Sequence, residues 1–142
     1  MKDNKAIDEI SQTVDWYYHH GAEASVEEIT HARDVIACNC WYLAGEVGDA
    51  KSDYNGAVFI EKINVMRKKQ SLMEGANGLS ATKAEAKALL GQPELFEKKL
   101  MKEAYAYKME LLLRSAHRIQ DAMQQRISNI KKEYENANRT GG

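Results

Sequence analysis

Three carboxylates, Glu46, Asp49 and Asp53, recur at spacings of three and four residues, which places them on one face of a helix. Carboxylates grouped in this way can hold a hard divalent cation such as Mg²⁺ and, through it, a phosphate. The opposite chemistry is carried by Arg67, Lys68 and Lys69, then Lys83 and Lys87, then Lys98, Lys99 and Lys102. A cationic cluster of this density, repeated around an oligomer, can follow a phosphate backbone without sequence preference. Tyr105 and Tyr107 stand beside it as rings on which bases could stack, or equally as core or interface residues.

Other candidate ligands lack the spacing their chemistry needs. Glu27, His31, Asp34 and Cys38 share a helical stripe that matches no metal-site pattern, and His19, His20 and His117 are incidental. The chain has no GxSxG, no glycine-rich phosphate loop and no arrangement that would activate a nucleophile. No catalytic residue, cofactor or metal ligand is assigned, and the expectation is a non-enzymatic protein. Cys38 and Cys40, two apart on a predicted helix, point about 200° away from each other, which suits neither a disulfide nor a shared metal. They read as reduced packing residues.

The elements that must position these groups are helices. With one proline in 142 residues, long stretches run uninterrupted, and the pattern predicts an all-α, elongated antiparallel hairpin of two long helices. Residues 1–24 form an acidic N-terminal helix, over 4–19, and a loop stopped by Gly21. The first long helix follows over residues 25–74, opened by a capping box in Ser25-Val26-Glu27-Glu28. Gly75-Ala76-Asn77-Gly78 reads as a turn, and residues 75–93 as a connection containing a short helix capped through Thr82-Lys83-Ala84-Glu85. Pro93 suits the first turn of the second long helix, over residues 94–136. Residues 137–142 make a disordered tail, and the whole is one helical domain.

Helices of this length, about 65 to 70 Å at 1.5 Å per residue, are too extended for one such chain to bury well, so an oligomer is expected. Leu112, Ala116, Ile119, Met123, Ile127, Ile130 and Tyr134 form a stripe stepping by three or four residues and are the expected oligomer interface. A second line, Leu100, Ala104, Tyr107 and Leu111, suggests that more than one face is occupied. In the first long helix, Ala37, Trp41, Ala44 and Gly48 share a face that would let a neighbouring backbone approach, which would offset the helix-interior cost of Gly45, Gly48 and Gly56.

Charge and hydropathy narrow the class further. The net charge of −1 hides a polarity: residues 1–60 carry four basic and eleven acidic residues, residues 61–142 sixteen and ten. Either the arms neutralise each other within the hairpin, or the basic half meets an anionic partner. No window approaches eighteen consecutive apolar residues and no signal-like apolar core follows the N-terminus, so the expectation is a cytoplasmic protein without membrane contact.

Two resemblances bear on function. The segment YLAGEVGDAKSDYN over residues 42–55, GLSATKAEA over 78–86 and SAHRIQDAMQQRISNIKKE over 115–133 resemble small helical proteins of tailed bacteriophages, similar in layout to the UvsY-type recombination mediators. That resemblance implies an oligomer binding single-stranded DNA in recombination or replication, with a recombinase or single-strand-binding protein as partner, in the host cytoplasm. Glu27-Glu28 with Glu46, Asp49 and Asp53 resembles the acidic motifs of MazG-type all-α nucleotide pyrophosphohydrolases, although His31 takes the third acidic place. A phage protein that blocks a host defence component through its helical surface is a further alternative.

Overall fold

A computed structural model describes residues 4–75 and 78–141. It is 90% helix, with four helices among the described residues: α1 (Lys5–His20), α2 (Val26–Glu74), α3 (Ala81–Leu90) and α4 (Pro93–Thr140). No strand occurs among them. The long helices pack together, and the contacts divide the chain into two units: Met1–Glu46 with Met109–Gly142, and Val47–Lys108.

Local chemistry sets the helix ends. Asn4 caps α1, its side chain accepting from the Ile7 N–H at 3.2 Å. Ser25 and Glu28 form the expected reciprocal box: the Ser25 N–H donates to Glu28 Oε1 at 3.1 Å and the Glu28 N–H to Ser25 Oγ at 3.2 Å. The cap of α3 is not the expected Thr82. Ser80 takes that place, accepting from the Lys83 N–H at 3.4 Å, because α3 already begins at Ala81. Gly91 ends α3, and Pro93 opens α4, where its missing N–H is harmless. The expected turn at Gly75-Ala76-Asn77-Gly78 falls partly outside the described residues, at Ala76 and Asn77. The expected disordered tail is corrected: α4 runs on to Thr140, whose hydroxyl bonds back to the Asn136 carbonyl at 3.0 Å.

The first unit has a core of large side chains. Ile29, Ala32, Ile36, Cys40 and Leu43 line the inner face of α2 at helical spacing, while Ala6 and Ile10 of α1 and Ala116, Met123 and Ile127 of α4 are buried as well. Two contacts order α1 on α2: the Asn39 amide donates to Glu9 Oε2 at 2.9 Å and the Asn4 amide donates to Glu46, so α1 runs antiparallel to α2. Arg33 donates to Gln124 of α4. The stripe expected to join copies is therefore largely used within one chain. Ala116, Met123 and Ile127 are at most 2% exposed and have no surface left for a second copy, Leu112, Ile119 and Ile130 are half-buried, and only Tyr134 is open, at 72%.

The second unit is built the other way round. Its buried residues are Val47, Ala50, Ala84, Ala88 and Ala106, so small side chains bring α2, α3 and α4 close together. Glu61 and Asp53 of α2 meet Lys99 and Lys102 of α4 at 2.8 and 3.8 Å, an order that makes these helices antiparallel.

The small-residue face of α2 also needs correcting. Trp41, Ala44 and Gly48 are exposed, and a Cβ at Gly45, Gly48 or Gly56 would have nothing within 4 Å. Gly21 is the reverse case, since a Cβ there would lie 2.5 Å from the Tyr17 carbonyl oxygen and 2.7 Å from its ring. Gly48→Ala should therefore stabilise the fold by up to about 1 kcal/mol, whereas Gly21→Ala should cost about 1–3 kcal/mol. Opposite shifts of the urea midpoint are the expected readout; shifts of the same sign would contradict this packing.

Candidate nucleic-acid interface

All eight basic residues singled out in the sequence, Arg67, Lys68, Lys69, Lys83, Lys87, Lys98, Lys99 and Lys102, fall in the unit Val47–Lys108. The structure divides them into two groups. Lys99 is held by Glu61 at 2.8 Å and lies 5.0 Å from the centre of the Phe96 ring, Lys102 faces Asp53 at 3.8 Å, and Lys69 faces Glu85 of α3 at 3.7 Å. These three are half-buried and hold helices together. Their charge is largely answered, so they have little left for a ligand.

Arg67, Lys68, Lys83, Lys87 and Lys98 are all exposed, and none has an ion pair among the described residues. Burial of Ala84 and Ala88 fixes the roll of α3. Lys83 and Lys87, each one residue before a buried alanine, then share one flank of α3, while Glu85 on the other flank meets Lys69. Tyr105 and Tyr107 of α4 are both more than half exposed. The unit thus offers mobile cations and open aromatic rings, the two components of backbone-tracking, base-stacking recognition.

The acidic face does not assemble into a metal site. Glu46 takes the Asn4 amide in the first unit, Asp53 faces Lys102, and Asp49 is exposed in the second unit. Glu27 and Glu28 sit in the first turn of α2, where Glu28 is engaged by the cap. Among the described residues no three His, Cys, Asp or Glu side chains converge as ligands would, and Glu27, His31, Asp34 and Cys38 all face outward.

The two free cysteines differ in setting. Cys40 is buried and its thiol is pushed up from its ordinary value by desolvation, while Cys38 is exposed and so is not the packing residue expected of it. Since the thiolate is the reactive form, a maleimide at pH 7 should label Cys38 at least about 100-fold faster than Cys40 in the folded protein. Equal rates, read from the fragment ions of the one peptide that carries both cysteines, would contradict the placement of Cys40.

Sequence reasoning missed the apolar exterior of the second unit. Phe59, Ile60, Met66 and Met73 of α2 and Phe96 and Met101 of α4 are all exposed. The signal was present in the sequence, because the apolar arc of α2 there is wider than one packed face: Val58, Val65 and Leu72 are half-buried while Phe59 and Met66, each about 100° round the helix from the valine before it, face out. Compared with known proteins, the chain matches no family model, and no curated protein or solved structure is significantly similar to it.

Proposed function

We propose that this chain is a non-enzymatic binding protein for single-stranded DNA, acting as a helical oligomer in an accessory role to recombination or replication. The observation that supports the reading is a set of five exposed cations with no ion pair among the described residues, Arg67, Lys68, Lys83, Lys87 and Lys98, in the unit that also exposes Tyr105 and Tyr107 on opposite flanks of α4. Such a surface binds through phosphate neutralisation and stacking, and a base in a duplex has no free face for a tyrosine to cover. The accessory role comes from the resemblance to UvsY-type mediators. The large apolar side chains that the second unit leaves outside support the oligomer.

Fluorescence anisotropy tests the reading. A labelled 30-nucleotide single strand is titrated with the full chain at low ionic strength, while sedimentation gives the mass of the assembly. Binding in the micromolar range or tighter, with a duplex of the same length competing more weakly, is expected. No detectable binding at low salt removes the proposal.

A further inference from the structure

In the first unit α1 and α4 leave a gap between them. Val14, Tyr17 and Tyr18 of α1 form one wall and Ile119, Ala122 and Arg126 of α4 the other, around a groove of about 540 Å³. Each set recurs at spacings that put it on a single helical face. Gly21, in the turn after α1, completes the lining, and a Cβ there would meet the Tyr17 ring at 2.7 Å. That ring therefore rests on backbone and is in place before any ligand arrives. The volume is that of a small-molecule site, about 300–1,000 Å³.

The lining is apolar apart from Arg126 and the two phenol groups. Arg126 is half-buried, yet it has no ion pair and no hydrogen bond among the described residues. Its own helix cannot answer it, because the positions three and four residues away hold Ala122, Met123, Asn129 and Ile130, none of them acidic. Glu23, in the turn after α1, lines a different hollow with Trp16, His20 and Glu28. Among the described residues no carboxylate borders the groove. A guanidinium partly withdrawn from water without a counter-charge carries an uncompensated desolvation cost, which an anion in the groove would offset. Arg126 stands seven residues, about 10 Å along α4, from Ile119, so an anionic head on the guanidinium leaves room for an apolar tail along the tyrosine wall. A polyanion fits poorly, since a single cation serves a groove that is otherwise apolar.

We infer that the groove between α1 and α4 binds a single-headed carboxylate amphiphile of the medium-chain fatty-acid class, with Arg126 on the head and Tyr17, Ala122 and Ile119 against the tail. The planar guanidinium matches the two oxygens of a carboxylate, which gives the head a fixed orientation as well as a counter-charge. The inference stands apart from the nucleic-acid reading, which uses cations of the second unit and not Arg126.

Isothermal titration calorimetry on the full chain tests it, with decanoate, decanol and decyltrimethylammonium as probes, each below its micelle-forming concentration. Decanoate is expected to bind in the micromolar range, decanol at least tenfold more weakly and the cationic probe not at all. R126Q should lose at least tenfold for decanoate and stay within twofold of wild type for decanol, because it removes the head contact alone. A122W leaves Arg126 in place but fills the tail space, and Ala122 is exposed, so the added bulk enters the groove and not the core; it should lose at least tenfold for both probes. R126Q should keep its helical circular dichroism and urea midpoint, and its oligonucleotide affinity within twofold. No binding of decanoate, equal binding of the three probes, or undiminished decanoate binding by R126Q or A122W would overturn the inference. So would a wild-type dimer that R126Q dissociates, which makes a carboxylate of a second copy the occupant. Co-sedimentation with phosphatidylserine vesicles that R126Q abolishes would make the groove a contact for a lipid surface and overturn it equally, as would a matching loss of oligonucleotide affinity in R126Q.

Discussion

Glutamate at Lys83, Lys87 and Lys98 together is expected to lower affinity for a single-stranded oligonucleotide at least about 100-fold at 50 mM salt. The three side chains are exposed and pair with nothing among the described residues, so their charge is available to phosphates. Replacing them removes three phosphate contacts and sets three carboxylates where the backbone would run. The fold should tolerate the change, because the neighbouring Ala84 and Ala88, not the lysines, seat α3. A contrasting variant makes the result interpretable: K99Q should weaken binding little but lower stability, since Lys99 lies 2.8 Å from Glu61, whose other oxygen is already buried without a partner. Anisotropy and urea unfolding on both proteins separate the two roles. If K99Q loses as much affinity as the triple variant, the division into structural and free cations is wrong.

The second large effect lies in the core of the first unit. Leu43→Ala should cost about 2–5 kcal/mol, because Leu43 is 1% exposed between tightly packed neighbours and its removal leaves a cavity as well as losing burial. Tyr134→Ser, on the same expected stripe as Met123 but exposed, should stay within about 0.5 kcal/mol of wild type. The urea midpoints of the pair read the packing directly. A small effect at Leu43, or a large one at Tyr134, would contradict the assignment of the stripe to the chain's own core.

The helices were legible in the sequence because their signals are local. Ser25 and Glu28 three residues apart, a glycine at 91 and a proline at 93 act on their own backbone neighbours, and each marks the boundary expected of it. The Thr82 cap failed by two residues because Ser80, an equally good acceptor, precedes it and Ala81 is a strong helix former. What a helical period cannot give is which apolar face meets the chain itself. Met123 and Ile127 were read as an interface and are core, while Phe59 and Met66, not read as anything, stand outside. Ion pairing was hidden for the same reason: Lys98 and Lys99 are adjacent and chemically alike, yet only Lys99 is rotated toward Glu61.

The three carboxylates that opened the sequence reading show another limit of helical spacing. Spacing places Glu46, Asp49 and Asp53 on one helical face, but a shared face is not a shared site. Each meets a different environment, an amide from Asn4, open solvent and the Lys102 ammonium, and no second helix brings further acids to them among the described residues. Phosphate binding asks for less than a metal site does, because it needs only density of exposed charge and tolerates the mobility of lysine side chains.

The most direct measurement is the salt dependence of oligonucleotide affinity for the wild-type chain. Five exposed cations engaging five phosphates of a single strand give a slope of about −3.5 in log affinity against log salt, a loss of about 100-fold between 50 and 200 mM. A slope near that value, falling to about −1.4 when Lys83, Lys87 and Lys98 are replaced, is the predicted result. A flat dependence, or a slope that the triple replacement leaves unchanged, would contradict the claim that these exposed cations carry the binding.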